Sequence, residues 1–359
     1  MKNTQLEEIE YSIIIPTYDK RENLEKCLSR IEKLYEPKKG WEVLVINNAP
    51  TENTRNIVEH YESRIKNLYY YHTLKPGLMI GRHLGCEFSK GSILCFIDDD
   101  SLVTSGWLRS IEKAFSDSKV VLVGGPILPE YEVKPPKWLG AFWENNEYGK
   151  LNGYLSLIDF GEKVKEISPL YVWGCNFAIR KDIFLEIGGS HPDSMPKELQ
   201  RFQGDGETAV SIKLKGLGYN ALYHPDIKIE HIVPSSRMTL NYFCERSYFQ
   251  GVCDSFTQIR KEHGLYMCHR EDIYHRESPR LLFSKRLSQA SIRIFRWVKQ
   301  YLSSCKSKEI FQIKKKLRKC YEDGWTFHQR ELKNDPALLK YVLRKNYLRV
   351  NSDIPKDDG

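Results

Sequence analysis

The 359-residue sequence lacks several features that define large classes of protein. No apolar run approaches the roughly 20 residues that a transmembrane helix requires. The nine cysteines contain no CxxC pair, so the usual spacing of a zinc site or a disulfide framework is missing. The first ten residues are polar and acidic and do not resemble a signal peptide. We therefore expect a globular cytoplasmic protein, with peripheral association at the inner face of a membrane as the second location.

The positive charge is unevenly distributed. Residues 281–319 hold twelve lysines and arginines and one acid, a net charge of +11, whereas the whole chain carries +8. Within this segment, residues 285–302 have the spacing of an amphipathic helix with one basic face. Packing on the rest of the protein, contact with an anionic membrane surface and oligomer contact all stay open. No recognised nucleic-acid module accompanies the charge, so we expect no nucleic-acid partner.

Strand and helix patterns alternate along the first half of the chain. Short apolar runs predict strands, and apolar spacing of three or four residues predicts helices between them. The predicted strands are 11–15, 41–46, 68–71, 93–97, 120–123, 171–178, 221–223 and 227–230. The predicted helices are 21–35, 51–61, 76–89, 107–115 and 208–217. This rhythm predicts an α/β fold with a mostly parallel, doubly wound, Rossmann-like sheet.

Two further segments complete the predicted organisation. Residues 129–159 are rich in Pro, Gly and aromatic residues, which predicts a long irregular loop that helps to close a site. From about Met238 to Leu348 the pattern is helical. We therefore predict two domains, 1–236 and a basic helical region 237–359.

Three consecutive acids, Asp98, Asp99 and Asp100, follow the predicted strand 93–97. Three carboxylates at the point where a buried strand reaches the surface repel one another. A divalent cation such as Mg²⁺ or Mn²⁺ offsets this repulsion. Ligands of open α/β sheets bind at the carboxyl ends of the strands. A solvated turn is the alternative interpretation of the acids taken alone.

Six other segments and this acidic triplet form an ordered series of motifs along the chain. The six segments are 12–21, 43–50, 75–82, 171–181, 203–208 and 223–231. In this order, over residues 10–233, they resemble family 2 glycosyltransferases with the GT-A fold. The resemblance implies an enzyme that transfers a sugar from a nucleotide-sugar to an acceptor hydroxyl, usually with inversion. A carbohydrate, glycolipid or protein acceptor in polysaccharide or glycoconjugate synthesis is compatible with it.

The resemblance implies roles for individual residues on the donor side. Contact with the nucleotide-sugar is expected from Pro16, Thr17, Tyr18, Asp19, Asn47, Arg82, Asp98 and Asp99. Asn47 stands where the family usually has an acid, and a simple turn is its alternative role. The implied metal ligands are Asp98, Asp100 and His231, with Mn²⁺ or Mg²⁺ as the cofactor. A structural role is the alternative for His231.

On the acceptor side, the resemblance places Trp173 and Asn176 near the sugar, although Trp173 is equally typical of a core aromatic. Glu207 is the implied general base, with Asp205 as the second candidate. Both acids also lie where they would favour the N-terminus of the following helix.

Two other functions stay open at this point. A nucleotidyltransferase also combines a Rossmann-like sheet with paired acids, but it would consume a nucleoside triphosphate. A non-catalytic scaffold with a degenerate GT-A domain is the third possibility.

Overall fold

The computed structural model describes residues 8–266 and 308–348, which form fourteen strands and nine α-helices. The strands are β1 (Ile9–Thr17), β2 (Gly40–Asn47), β3 (Leu68–His72), β4 (Ile93–Phe96), β5 (Ser101–Val103), β6 (Leu122–Gly124), β7 (Ile127–Tyr131), β8 (Glu144–Asn145), β9 (Lys150–Asn152), β10 (Leu157–Asp159), β11 (Lys165–Ile167), β12 (Phe177–Arg180), β13 (Ala221–Tyr223) and β14 (Ile229–Val233). The α-helices are α1 (Arg21–Ile31), α2 (Arg55–Tyr61), α3 (Leu78–Phe88), α4 (Trp107–Phe115), α5 (Lys181–Glu186), α6 (Thr208–Gly216), α7 (Leu240–Glu262), α8 (Lys308–Asn334) and α9 (Pro336–Val342).

The larger sheet has eight strands in the order β11-β13-β6-β12-β4-β1-β2-β3. Strands β3, β2, β1 and β4 run parallel, and β2 and β4 are buried along their whole length. Strands that are buried along their whole length are typical of a parallel sheet covered by helices on both faces. The predicted α/β class is confirmed. One departure is β12, which runs antiparallel between β4 and β6.

A second sheet has six strands in the order β5-β14-β7-β10-β9-β8. Three of them, β8, β9 and β10, lie within residues 129–159, as does most of β7. The prediction of an irregular loop there is therefore wrong. These strands contain only two to five residues each and are separated by polar turns. They are therefore too short to show the alternation of apolar and polar residues by which a longer strand is predicted.

Local boundaries differ from the prediction at three places. Strand β1 continues through Pro16 to Thr17, since Pro16 still has a register partner in β2. The predicted strand 171–178 is instead a 3₁₀ turn at Pro169–Tyr171 followed by the shorter β12. Helix α2 begins at Arg55, four residues later than the predicted start at residue 51.

Helices α7 and α8 cross in close contact. A Cβ on Gly251 would overlap the Tyr321 carbonyl, and a Cβ on Gly324 would overlap the Tyr248 carbonyl. Glycine at both positions therefore allows the two backbones to touch. This close packing joins α7, which follows the first predicted domain directly, to the last described part of the chain.

The C-terminal helices share a hydrophobic cluster with the α/β part. Its buried residues are Met79, Ile80, Met195, Phe202, Phe256, Leu332, Leu338, Tyr341, Val342 and Tyr347. They come from α3, from the segment that precedes α6 and from α7 to α9. The described C-terminal helices are therefore packed on the α/β part, and the two-domain division at residue 236 stays a prediction.

Residues 285–302, which carry the predicted basic amphipathic helix, lie outside the described residues. The membrane and oligomer contacts proposed for them stay predictions. Within residues 8–266 and 308–348, no helix combines the length and the apolar character needed to cross a bilayer.

Candidate active site

The three consecutive acids lie between β4 and β5, next to the carboxyl end of β1. Thr17 Oγ1, at the end of β1, donates a 2.6 Å hydrogen bond to Asp99 Oδ2. Burial raises the pKa of Asp99 to about 8, and the neighbouring charge of Asp100 adds to the shift. The Asp99 side chain is therefore buried and hydrogen-bonded to Thr17. Asp98 and Asp100, its neighbours in the sequence, make separate ion pairs.

Arg82 joins three acids that lie far apart in the sequence. Its Nη2 is 3.2 Å from Asp98 Oδ1, and its Nη1 is 3.3 Å from Glu207 Oε2 and 3.5 Å from Asp193 Oδ2. Burial opposes the positive charge, but the three carboxylates outweigh it and hold the pKa of Arg82 above its ordinary value. The predicted Arg82, Asp98 and Glu207 therefore meet at one point.

Gly174 makes room for this guanidinium. A Cβ at residue 174 would lie 2.7 Å from Cζ of Arg82, which is shorter than any ordinary contact. The Gly174 N–H also donates a 3.3 Å hydrogen bond to Glu207 Oε1. The segment before β12 thus orients both Arg82 and Glu207, a role that the sequence analysis did not assign to it.

Asp193 is a member of this group that the sequence analysis missed. Its Oδ1 accepts a 2.8 Å hydrogen bond from the Met79 N–H at the start of α3. Burial raises its pKa to about 7, although the charge of Arg82 opposes the shift. One acid in a loop rich in Gly, Pro and His carries no local signal, so only the contact with α3 and Arg82 reveals it.

On the other side of the triplet, Asp100 contacts His231 of β14. Asp100 Oδ1 is 3.2 Å from His231 Nε2, and His231 Nδ1 is 3.0 Å from the Leu155 carbonyl oxygen. Leu155 belongs to the segment that was predicted to be an irregular loop, so the second sheet orients His231. A histidine that donates its other ring N–H to a carbonyl is typical of metal ligands.

Arg237 completes this pair and was also missed. Its Nη2 is 2.9 Å from Asp100 Oδ2, and its Nη1 is 3.2 Å from His231 Nε2. Burial alone would raise the pKa of Asp100, but His231 and Arg237 outweigh it and hold that pKa below its ordinary value. An arginine six residues after His231 was the available signal in the sequence.

The predicted metal ligands meet only in part. Asp100 and His231 converge, whereas the Asp98 carboxylate is directed to Arg82. Among the residues that the structure describes, no group of three or more His, Cys, Asp or Glu side chains is arranged to hold a metal ion. Two protein donors still fit Mg²⁺ or Mn²⁺, which are commonly held by one or two carboxylates together with substrate phosphates and water.

Asp205 lies in different surroundings from Glu207. Its Oδ1 is 2.7 Å from His191 Nδ1, and its Oδ2 accepts 2.7 Å hydrogen bonds from Thr257 and Tyr266. Burial opposes its charge, but His191 and Thr257 hold its pKa below the ordinary value. Its side chain is 3% exposed, against 29% for Glu207. Asp205 therefore ties the loop before α6 to the C-terminal helices.

The predicted nucleotide contacts fall into two groups. The Tyr18 side chain is exposed, and Asp19 follows it with a φ of +53°, so this turn leaves the end of β1 open to a ligand. Asn47 is fully buried instead. Its amide donates to the Thr51 carbonyl and to the Tyr70 hydroxyl, and its Oδ1 accepts from the Ala49 N–H. These contacts favour the turn role for Asn47.

Trp173 and Asn176 are also occupied within the protein. Trp173 is 6% exposed and donates to the Leu170 carbonyl. Asn176 is 1% exposed, accepts from Trp107 Nε1 and donates to the Ile227 carbonyl. Because their polar groups already have partners, these contacts favour a core role for both and not the expected contact with a sugar.

Comparison with known proteins decides the family. Residues 12–188 match the model of Glycosyl transferase family 2. Residues 12–188 are therefore a family 2 glycosyltransferase domain. The matched segment contains Arg82 and the acidic triplet, and it ends before Asp193, Glu207, His231 and Arg237.

Curated relatives match over different lengths. The chain is 34% identical to the glycosyltransferase AglE of Haloferax volcanii over 117 residues, which are 32% of this chain and 38% of AglE. It is 23% identical to the glucosyl-dolichyl phosphate glucuronosyltransferase of the same organism, over 67% of this chain and 74% of the relative. It is also 23% identical to the succinoglycan biosynthesis protein ExoM of Rhizobium meliloti, over 72% and 78%.

A solved structure shows the same fold. The mannosyltransferase PcManGT from Pyrobaculum calidifontis, solved with GDP-Man and Mn²⁺, is 15% identical, with a TM-score of 0.56 over 89% of this chain and 87% of that one. The GT-A fold that the sequence resemblance implied is therefore confirmed for this family 2 glycosyltransferase.

Proposed function

We propose that this glycosyltransferase moves a sugar from a nucleotide-diphospho-sugar to an acceptor hydroxyl in one in-line displacement with inversion. The observation that carries the proposal is the Arg82 ion-pair group. In this group, the Arg82 guanidinium pairs with both Asp98, after β4, and Glu207, at the start of α6. A donor bound at the acidic triplet would thus have its reactive carbon within reach of one further carboxylate.

In the proposed reaction, the Glu207 carboxylate takes the proton of the acceptor hydroxyl. The acceptor oxygen then forms a bond to the anomeric carbon, and the bond from that carbon to the diphosphate oxygen breaks. The nucleoside diphosphate leaves with the electron pair. Glu207 suits the task because Gly174 and Arg82 orient its two oxygens while part of its side chain stays accessible. Asp205, saturated by three donors, does not.

Asp100 and His231 would hold the divalent cation, Mn²⁺ or Mg²⁺. When bound, this ion supplies positive charge that stabilises the leaving diphosphate. The exposed turn at Tyr18 and Asp19 would contact the nucleotide. The assignment of Asp98 changes relative to the sequence analysis. Because its carboxylate pairs with Arg82, we place it with the donor and not with the metal.

For the acceptor, we propose a saccharide hydroxyl in polysaccharide or glycoconjugate synthesis. The glucuronosyltransferase and ExoM support this class, since their names refer to a dolichyl-phosphate-linked glucose and to succinoglycan. Because Trp173 and Asn176 are engaged in the core, we propose that other residues contact the acceptor.

The test is thermal stabilisation by a panel of nucleotide-sugars and nucleoside triphosphates, each with Mn²⁺ or with a chelator. A ligand that binds the folded state raises the unfolding midpoint by mass action. We expect a metal-dependent rise with one nucleotide-sugar, which would also identify the donor. A rise with triphosphates alone would favour a nucleotidyltransferase, and no rise with any nucleotide would favour a scaffold.

A further inference from the structure

Arg237 contacts both protein groups proposed to hold the metal. Its guanidinium lies 2.9 Å from Asp100 Oδ2 and 3.2 Å from His231 Nε2. Asp100 and His231 are almost completely buried, with side chains 7% and 5% exposed, whereas the Arg237 side chain is 31% exposed. The Arg237 guanidinium is therefore more accessible to solvent than the two side chains that are proposed to hold the metal.

Asp100 and His231 lie side by side behind this guanidinium. Asp100 Oδ1 is 3.2 Å from His231 Nε2 and has no hydrogen-bond partner, although it is buried. His231 Nδ1 contacts the Leu155 carbonyl oxygen at 3.0 Å, which orients the ring so that Nε2 faces Asp100 and Arg237.

Arg237 places its positive charge in front of both side chains, where it balances the buried carboxylate of Asp100. A carboxylate oxygen and an imidazole nitrogen at this spacing also suit a divalent ion. A guanidinium and a metal ion cannot both occupy the space in front of this pair.

We propose that Arg237 is a built-in counter-cation, which neutralises the Asp100 carboxylate and contacts His231 in the free protein, and which competes with the divalent ion for both side chains. The inference rests on the proposed function, because it concerns the same metal site. Arg237 lies in the short 3₁₀ turn Ser235–Met238, before α7, and its partly exposed side chain can swing into solvent without unfolding an element.

The competition has a measurable consequence. In the wild type, a metal ion must displace the guanidinium, so the metal alone binds weakly. Binding becomes favourable when a donor diphosphate supplies further oxygen ligands and accepts the released guanidinium, which suits phosphate. Removal of the Arg237 side chain should therefore tighten the binding of the metal alone.

The test is titration of the protein with Mn²⁺ alone, with free Mn²⁺ measured by electron paramagnetic resonance. We expect Arg237→Ala to bind Mn²⁺ at least five-fold more tightly than the wild type. The control is Arg30→Ala, which removes an exposed arginine that pairs with Glu230, next to His231 in the sequence. Its Mn²⁺ affinity should stay within two-fold of the wild type.

A second measurement separates competition for the site from a general effect of charge. Ethylguanidinium at millimolar concentration should weaken Mn²⁺ binding to Arg237→Ala, because it can enter the vacated space, whereas sodium chloride of equal ionic strength should not. Arg237→Lys, which keeps the charge, should bind Mn²⁺ more weakly than Arg237→Ala. It also serves as the variant to titrate if the alanine variant does not fold.

Unchanged or weaker Mn²⁺ binding by Arg237→Ala would overturn the proposal. If neither protein binds Mn²⁺ but a nucleotide-sugar still raises the unfolding midpoint, the metal site and the counter-cation both fail while the transferase proposal stands. If no nucleotide-sugar binds to either protein, the proposed function fails as well.

Discussion

Two clusters of this protein combine acidic and basic side chains, and they use them in opposite ways. In the cluster of Asp205, His191, Thr257 and Tyr266, both carboxylate oxygens have donors and the acid is 3% exposed. In the Arg82 ion-pair group, Asp98 and Glu207 share one guanidinium and are 28% and 29% exposed. A saturated, buried acid stabilises the fold, whereas an acid that shares its partner and stays accessible can bind or react.

The sharpest test of this contrast is Glu207→Gln. The amide keeps the size of the side chain but cannot take a proton, so we expect turnover to fall by about 10²- to 10⁴-fold. The unfolding midpoint and the metal-dependent shift with the nucleotide-sugar should stay close to those of the wild type. Initial rates and thermal melts measured on the same preparation check this. Wild-type turnover in this variant would disprove Glu207 as the base.

The matching change in the other cluster is Asp205→Asn. An amide would place an N–H₂ group against His191, Thr257 or Tyr266, which already donate, and would leave buried donors without an acceptor. We expect a loss of about 2–5 kcal/mol in the free energy of unfolding, because each buried donor left without an acceptor costs roughly 1–3 kcal/mol. Denaturant unfolding measures the loss directly.

Activity separates the two acids further. The folded fraction of Asp205→Asn should turn over at least ten-fold faster than Glu207→Gln under conditions where both are folded. If Asp205→Asn were instead stable and inactive while Glu207→Gln retained activity, the two roles would have to be exchanged.

A smaller effect is expected from Gly174→Ala. The new methyl group would push the Arg82 guanidinium away from Asp98 and Glu207, so turnover should fall by about ten-fold or more, in line with the cost of a misplaced catalytic group. The unfolding midpoint should change less, because the end of a long side chain can move. The matched control is Gly153→Ala, where a Cβ meets no atom within 4 Å. Equal loss of activity in both variants would contradict the role of Gly174.

The smallest effect concerns the pH dependence of stability. Burial lowers the pKa of His191 to about 3, against an ordinary value of 6.5. Between these values the unfolded chain binds a proton that the folded protein does not. The contribution of neutral His191 to the stability is therefore complete above about pH 6.5 and falls as the pH is lowered toward 3.

In His191→Gln this proton uptake disappears. The slope of unfolding free energy against pH between pH 6 and 4 should decrease by about 1.4 kcal/mol per pH unit, the equivalent of one proton. Denaturant unfolding at several pH values measures the slope. An unchanged slope would show that His191 titrates normally.

Residues with a local signal could be found from the sequence. Asp98 and Asp100 follow an apolar strand, and Glu207 precedes a helix. His231 lies in a short strand. For each of them, the neighbouring residues in the sequence indicate the structural context. Asp193 lacks such context, and the only local signal of Arg237 is its position six residues after His231. Their partners, Arg82 and Asp100, are distant in sequence, and only the folded chain brings them together.

The opposite error occurred where a local pattern had two meanings. Asn47, Trp173 and Asn176 lie in segments that resemble family motifs, yet their side chains are buried with their polar groups satisfied. The sequence also concealed the second sheet, because strands of two to five residues between polar turns have too few positions to show a period.

The sequence by itself determined the α/β class, the family resemblance and the acids at the end of β4, because apolar periodicity and short motifs are local properties. Only the tertiary structure decided which acid is saturated, which cation faces the metal ligands and how the C-terminal helices join the site. These depend on contacts between residues far apart in the chain, where burial and the number of available donors, and not residue type, determine what a carboxylate does.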